Sequence, residues 1–404
     1  MSASRSAVPG RLAVFAGLVA VTAPLLWTKL VPNFQTGTVA LELVPGNAIQ
    51  FLSVVVPAIL VGLAIAGLGW LWGRHGPTKP VIATGAQRLF ESPKLLVATG
   101  TTLGLAGFAM GAKGLSMGAF LCIHIMLAIG LNVTIGFTGL LVLGYAAFYA
   151  IGAYSFALLA HAVPFFPTWA ALPVGFAVAG AAGFLVGLPC LRLRGDYLAN
   201  VTLGFAEALR EVLRNLSVTG ADMGLLVPAG ARIQAIGPVS QAQASWIAAI
   251  VVTLFVALFV HRLYHSRIGR AWIAIREDET AAAMMGIPVV RLKLLAFSVS
   301  AGIAGVAGTF FAGFAGFVDP STATFEQSVL ILAMVILGGI GSLPGAILGA
   351  CVLYLAPTLL RDWFPAISDY RLFFFGCILV AMMLFRPQGL SGSPRHRLEL
   401  EGGE

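Results

Sequence analysis

The sequence predicts an all-α polytopic membrane protein of ten to twelve transmembrane helices, and three observations carry that prediction. Of the 404 positions, 59% are hydrophobic and only 10% are charged, against roughly 25% charged in a soluble domain. Sixteen acidic and 24 basic residues cannot coat a soluble body of this length, which argues against a cytoplasmic enzyme or a secreted globular domain. Apolar stretches near the length of about 20 residues that crosses a bilayer recur along the chain. The 48 glycines fit the same class, because glycine is common in membrane helices.

The first stretch, Leu12 to about Val31, follows Arg5 and Arg11. It is long for the apolar core of a cleaved signal and shows no small-x-small cleavage site before Lys29, so a retained span is expected. Further spans are expected over 49–71, 95–111, 119–136, 143–160, 169–189, 198–214, 246–261, 292–314, 326–342, 344–360 and 371–385. Several are short, and the pairs meeting near 137–142 and 343 leave almost no loop. Half-helices or a broken helix there would reduce twelve spans to about ten. Residues 1–94 read as an accessory region with two spans and a polar linker from Gly73 to Pro93. Residues 95–386 read as the transmembrane domain and 387–404 as a tail.

Basic residues sit in alternate loops: Arg74, Lys79, Arg88 and Lys94; Arg192 and Arg194; Arg262, Arg267, Arg270, Arg276, Arg291 and Lys293; and Arg386, Arg395 and Arg397 in the tail. The intervening loops hold almost none. Twelve spans put every basic loop and both termini on one side, which the positive-inside bias assigns to the cytoplasm. The net charge of +8 is then a topology signal facing anionic lipid, with no nucleic-acid meaning.

Enzymatic chemistry has no footing in the sequence. The four cysteines, Cys122, Cys190, Cys351 and Cys377, are far apart, which predicts neither a disulfide framework nor a zinc site. Among six histidines only His261 and His265 are i,i+4 neighbours, and no HExxH or other metal spacing accompanies them. A GxxxxGK[ST] phosphate loop is missing, so the chain is not expected to hydrolyse ATP or to need a cofactor.

Three segments carry the functional signal. In the first, Leu131 to Leu158, glycines interrupt an apolar run that also holds Asn132, Thr134, Thr138, Tyr145, Tyr149 and Tyr154. Polar groups at membrane depth face a bundle interior or a pathway, and broken helices border transport routes. Plain helix packing with satisfied hydroxyls explains each residue singly. Asn132, Thr138, Tyr145 and Tyr149 are the pathway candidates.

In the second, Cys190 to Asn215, Glu207 with Arg210 and Glu211 with Arg214 form i,i+3 pairs of opposite sign. These charges either reach the outer interface, neutralised locally, or line a polar cavity, with Glu207 the pathway candidate.

In the third, Ser266 to Gly308, residues 270–285 predict one short amphipathic helix outside the membrane. Arg276, Glu277, Asp278 and Glu279 supply its charged face, Gly286 ends it and Pro288 blocks continuation. Such a helix between two spans suits docking into a groove on a soluble partner. The alternative is a helix lying on the membrane, which three successive acids disfavour on an anionic leaflet. Farther on, LGGIGSLPGAILG (337–349) predicts either a break between half-spans or a tight hairpin.

These segments resemble the LivM-type permease subunit of bacterial branched-chain amino-acid ABC importers. The matching stretches are LNVTIGFTGLLVLGYAAFYAIGAY (131–154), LRLRGDYLANVTLGFAEALREVL (191–213), GRAWIAIREDETAAAMMGI with the following FSVSAGIAGVAG (269–308), and FEQSVLILAMVILGGIGSLPGAILGA (325–350). The resemblance implies a type II ABC importer-like permease bundle in the inner membrane. It implies pairing with a second homologous permease subunit, two ATP-binding subunits and a periplasmic substrate-binding protein. Segment 269–287 would be the coupling-helix region, with Arg270, Arg276, Glu277, Asp278, Glu279 and Gly286 at or near the ATPase. The sequence departs from the family pattern at Ala221, in TGADMGLL, where a second glycine is usual, and at Asn200 and Ala206.

The implied activity is ATP-driven import of leucine, isoleucine, valine or related amino acids. Import of urea or short amides by a sister permease is the near alternative. A stand-alone secondary transporter or channel fits less well, because the spans hold no buried acidic relay. A structural membrane scaffold is the third class.

Overall fold

The computed structural model describes residues 28–33, 38–43, 112–163, 166–190, 196–233 and 240–363. The expected spans over 49–71, 95–111 and 371–385, most of the first span, the linker from Gly73 to Pro93, residues 191–195 with Arg192 and Arg194, and the tail lie outside the described residues. The chain forms two compact units, one of Met1–Val81 with Leu359–Pro387 and one of Ile82–Thr358 with Gln388–Glu404. In the first unit, β1 (Thr28–Asn33) and β2 (Thr38–Leu43) pair antiparallel, with Thr28 opposite Leu43. The end of the expected first span is therefore strand, in a stretch whose β-branched Thr28, Val31, Thr38 and Val39 suit extended backbone.

The second unit is helical. Its helices are α1 (Ala112–Asn132), α2 (Tyr145–Ala162), α3 (Thr168–Cys190), α4 (Asp196–Asn215), α5 (Gln241–Tyr264), α6 (Arg267–Glu277), α7 (Glu279–Met284), α8 (Val289–Ala315), α9 (Phe325–Gly338) and α10 (Leu343–Trp363). Five of the described helices are long and apolar enough to cross a membrane: α1 with its continuation to Phe137, α2, α3, α5 and α8. Two shorter apolar helices, Phe325–Gly338 and Leu343–Leu355, follow. The expected span at 198–214 forms a helix in the right place, α4, but not an apolar one. Its buried stripe of Leu198, Ala199, Thr202, Ala206 and Leu213 is opposed by exposed Glu211. Like β1 and β2, the pairing of β3 (Leu225–Leu226) with β4 (Phe317–Val318) departs from the all-α expectation.

Helix α8 is the spine, packing most extensively on α3 and α2 and also on α1. Glycine permits that closeness. A Cβ on Gly305 would strike the Gly175 backbone and Ala179 of α3, and one on Gly308 the Tyr149 and Ala153 backbone of α2. Helices driven together without a hydrophobic effect rely on such contacts and on interhelical hydrogen bonds. Here Ser298 Oγ donates to Gly180 O (2.8 Å), Ser300 Oγ to Gly130 O (2.7 Å) and Thr309 Oγ1 to Gly152 O (3.1 Å). Tyr145 Oη donates back to Ser300 O at 2.9 Å. Away from the spine, Ile247, Val251, Phe255 and Phe259 recur every four residues on α5 and stay exposed, the pattern of a face turned to lipid.

The structure resolves the alternative left open at 337–349: α9 and α10 form a tight hairpin. Gly338 lies against the backbone of Gly345, and Gly349 against Met334 O and Gly338. Gly339 and Gly341 take positive φ at the reversal, and Pro344 falls in the first turn of α10, where a missing N–H costs nothing.

Overpacking the α3–α8 seam tests this account. Gly305→Leu is expected to cost at least about 1–3 kcal/mol, read as a lower melting temperature of the detergent-solubilised protein. A Cβ on Gly204, in α4, meets nothing within 4 Å. Gly204→Ala is therefore expected to raise stability by about 0.5–1 kcal/mol.

Candidate functional site

The loop between α5 and α8 folds as an elbow of two short helices. One continuous helix over 270–285 was the expectation, and Asp278 breaks it. Its backbone is extended (φ −153°, ψ 113°), and its side chain caps α7 instead. Asp278 Oδ1 accepts from Thr280 Oγ1 (2.5 Å), Thr280 N (2.8 Å) and Ala281 N (3.0 Å). The Thr280 hydroxyl, then the two amides, hold the carboxyl below its ordinary range. Ser266 caps α6 by accepting from Gly269 N at 3.2 Å. Gly286, at φ +78°, closes α7 as expected, and Pro288 precedes α8.

One side of the elbow is pinned to the bundle. Gly269, Trp272 and Ile275 are buried, and Trp272 Nε1 donates to Leu292 O of α8 at 2.8 Å. Lys293 Nζ meets Glu279 Oε2 at 2.5 Å and ties α7 to the start of α8. Arg276 Nη1 donates to Gly136 O at 2.7 Å, in the π-helical turn Val133–Phe137 that ends α1. The other side is open. Glu277, Asp278, Glu279 and Thr280 are exposed, and Met284 and Met285 stand 89% and 83% exposed. Two large apolar side chains beside an acidic edge form a contact surface of the kind that docks into a partner's groove.

The six residues expected at a docking surface therefore divide. Glu277, Asp278, Glu279 and Gly286 lie on the open side, though Asp278 and Glu279 also hold the elbow together. Arg270 is exposed near the α5–α6 junction, with Nη1 donating to His265 O at 3.1 Å. Arg276 faces inward. Sequence reasoning counted the methionines of this segment, Met284 and Met285, in its apolar surface, but missed the pinning roles of Trp272 and Lys293. The spacing of Gly269, Trp272 and Ile275 at i, i+3, i+6 was the available signal for the pinned face.

The pathway candidates separate too. Asn132, Thr138, Tyr145 and Tyr149 are all buried. Thr138 Oγ1 donates to Thr134 O (2.7 Å), and Asn132 Oδ1 accepts from Gly341 N (2.9 Å). Among the described residues, Asn132 Nδ2 and, elsewhere in the bundle, the Tyr154 hydroxyl are buried without a hydrogen-bond partner. Glu207 is part-exposed on α4 and paired with Arg210 at 2.8 Å, matching the locally neutralised alternative. Arg214 approaches Glu211 only at 3.7 Å. Its closer partner is Asp222 at 2.6 Å, which holds that carboxyl below its ordinary range.

The described part of the loop after α4, residues 216–233, is a built structure. Arg232 Nε donates to Val227 O (2.8 Å) and its Nη2 to Gly316 O (3.1 Å), holding β3 against β4. Ala221, where the resemblance places a glycine, sits at φ +50°, the left-handed region that costs an L residue about 1–2 kcal/mol.

Comparison with known proteins places the chain. The family model described as "Branched-chain amino acid transport system / permease component" matches residues 110–383. The high-affinity branched-chain amino acid transport system permease protein LivM of Salmonella typhimurium is 39% identical over 345 residues, 80% of this chain and 79% of the relative. LivM of Escherichia coli K12 is 39% identical over 344 residues, again 80% and 79%. The LivH permease protein of Salmonella typhimurium is 26% identical over 288 residues, 67% of this chain and 92% of that protein. No solved structure matches the chain.

Two local changes test this geometry. Asp278→Ala is expected to speed amide exchange at Thr280 and Ala281 several-fold, whereas Asp278→Asn keeps a cap acceptor and most of the protection. Acid acts like the alanine change. A depressed carboxyl stabilises the cap above its unfolded pKa, and that support is lost as pH falls below about 4. Ala221→Gly relieves the left-handed strain and is expected to leave stability unchanged or raise it by up to about 1 kcal/mol, read by thermal melting.

Proposed function

The chain belongs to the family of permease components of branched-chain amino-acid transport systems, and we propose that it moves leucine, isoleucine or valine inward under the drive of separate ATP-binding subunits. It is a non-catalytic, multi-pass subunit of the inner membrane. In our reading it pairs with a homologous permease subunit, receives substrate from a periplasmic binding protein and docks one ATPase on the elbow α6–α7. The observation that carries the docking reading is the two-sided character of the elbow. Met284, Met285 and Glu277 face outward, while Trp272 and Lys293 fix the same short segment to α8.

The mechanism follows from that pinning. Closure of the ATPase pair on ATP pushes the elbow. Because the Trp272 indole holds Leu292, the push reaches the first turn of α8, and α8 carries α2 and α3 through the glycine seams. A packed bundle shifts between discrete arrangements and does not deform smoothly. Outward and inward openings then alternate around a route bordered by α1 and α2, with Asn132, Thr138, Tyr145 and Tyr149 as the polar residues nearest to hand. In the arrangement described, Tyr145 and Thr138 hold backbone carbonyls. Glu207, neutralised locally by Arg210, is left out of the route.

Affinity purification of the tagged chain from its native membrane tests the reading. Wild type is expected to bring down an ATP-binding subunit and a second permease. Met284→Ala with Met285→Ala is expected to weaken ATPase binding by about tenfold, or ~1.4 kcal/mol. Glu277→Lys is expected to weaken it as well, and deletion of the gene to abolish high-affinity uptake of labelled leucine. Recovery of the intact chain with no ATPase, or unchanged leucine uptake in the deletion strain, contradicts the proposal.

A further inference from the structure

Three places where the chain leaves regular helix meet at one point. The first is the π-helical turn Val133–Phe137 at the end of α1. The second is the reversal between α9 and α10, where Gly341 takes φ +83°. The third is the C-terminal end of α6, which contributes Arg276. Two hydrogen bonds join them: Gly341 N–H to Asn132 Oδ1 at 2.9 Å, and Arg276 Nη1 to Gly136 O at 2.7 Å. The partners lie 209 and 140 residues apart in sequence, so neither bond is a by-product of local folding. The fit leaves no slack. A Cβ on Gly136 would strike Asn132 Oδ1 and the Gly341 backbone, and a Cβ on Gly341 would strike the Arg276 guanidinium.

Gly136 O needs a partner. The π turn frees carbonyls from regular pairing inside a buried segment, and an unpaired buried acceptor costs about 1–3 kcal/mol. Arginine satisfies it from a helix that belongs to the loop, not to the bundle. Its planar, permanently charged fork keeps direction as well as reach, which a lysine reproduces only in part.

We infer that Arg276 is a positioning residue of the transport cycle: it joins the elbow to the inner closure that the α1 turn and the α9–α10 reversal make together. This rests on the reading that an ATPase drives the elbow, and it departs from the sequence expectation of Arg276 at the ATPase contact. Trp272 carries the push to α8, and Arg276 carries it separately to the inner end of α1 and to the hairpin. Without Arg276 the elbow and α8 still move, but the closure no longer follows. ATP is then spent without a matching passage of substrate.

The test uses the full complex purified with its partner subunits and reconstituted in liposomes, with labelled leucine imported per ATP hydrolysed as the readout. Arg276→Ala is expected to keep its ATPase subunits and hydrolyse ATP, while importing about tenfold less leucine per ATP. Arg276→Lys is expected to recover a large part of that ratio. A residue that only stabilises the fold would lower import and hydrolysis together and leave the ratio unmoved. Should Arg276→Ala fail to assemble, the same ratio is read on Gly341→Ala, which displaces the guanidinium and is expected to uncouple likewise. An unchanged ratio in the variant that assembles overturns the inference. So does loss of the ATPase subunits from an Arg276→Ala chain of unaltered melting temperature, which would make Arg276 a docking residue. Failure of the driving premise looks different, because the wild-type chain itself would then purify without an ATPase.

Discussion

A chain that leaves helical geometry inside a bilayer must find protein partners for the backbone groups it frees, because the hydrocarbon offers none. That constraint organises this molecule. Between α1 and α2 the chain is irregular from about Val133 to Gly144, and backbone groups there and in the first turn of α2 are met by other elements. Gly136 O takes a donor from Arg276 of α6. Leu143 N–H donates to Thr202 Oγ1 of α4 at 3.2 Å, and Ala146 N–H to Ser328 Oγ of α9 at 3.0 Å. The reversal after α9 is met in turn by Asn132. The sites where the bundle is broken are thus the sites where it is tied together.

The same constraint gives the glycines two distinct jobs. Along α3 and α8 they lower the helix surface so that backbones touch, and Gly175, Gly305 and Gly308 do nothing else visible. At the reversal, Gly341 supplies a conformation that L residues rarely adopt, at a place where a side chain would also collide with Arg276. Serine and threonine then fasten what glycine brings close: Ser298, Ser300 and Thr309 all donate to carbonyls of neighbouring helices. A bundle fastened at discrete points moves as a few bodies, which is what a push from one loop requires.

Much of this was legible in the sequence, and the failures have physical causes. Span positions from α1 to α10 follow from apolar run length, a one-dimensional property. The charged half of α4 was equally visible, but its meaning was not, because run length cannot say which way a helix turns its Glu and Arg. The elbow was read as one helix since Ala, Met and Glu all favour helix. Asp278 overrides them, because capping is stronger for aspartate than its weak interior propensity. The inward bond of Arg276 escaped the sequence for a related reason. A run of charges reads as a solvated face, whereas the pinned face was marked only by Gly269, Trp272 and Ile275. Its true partner, Gly136 O, is a backbone atom 140 residues away that no side-chain pattern announces. The tight hairpin at 338–345 was recognised as an alternative because Gly and Pro there exclude a regular helix.

On the proposed reading, docking and coupling are separable, since the elbow has an open face and a pinned one. Spin labels on the assembled complex address that separation directly. One label at Arg267, exposed at the start of α6, and one at Ile340, exposed in the reversal, report the distance across the Arg276 link. A second pair, Ile340 with Met223 in the loop after α4, reports the bundle. On ATP binding the account predicts a constant distance for the first pair and a changed distance for the second. A first-pair distance that shifts with ATP while the second stays fixed would contradict it, because the elbow would then move without carrying the inner closure.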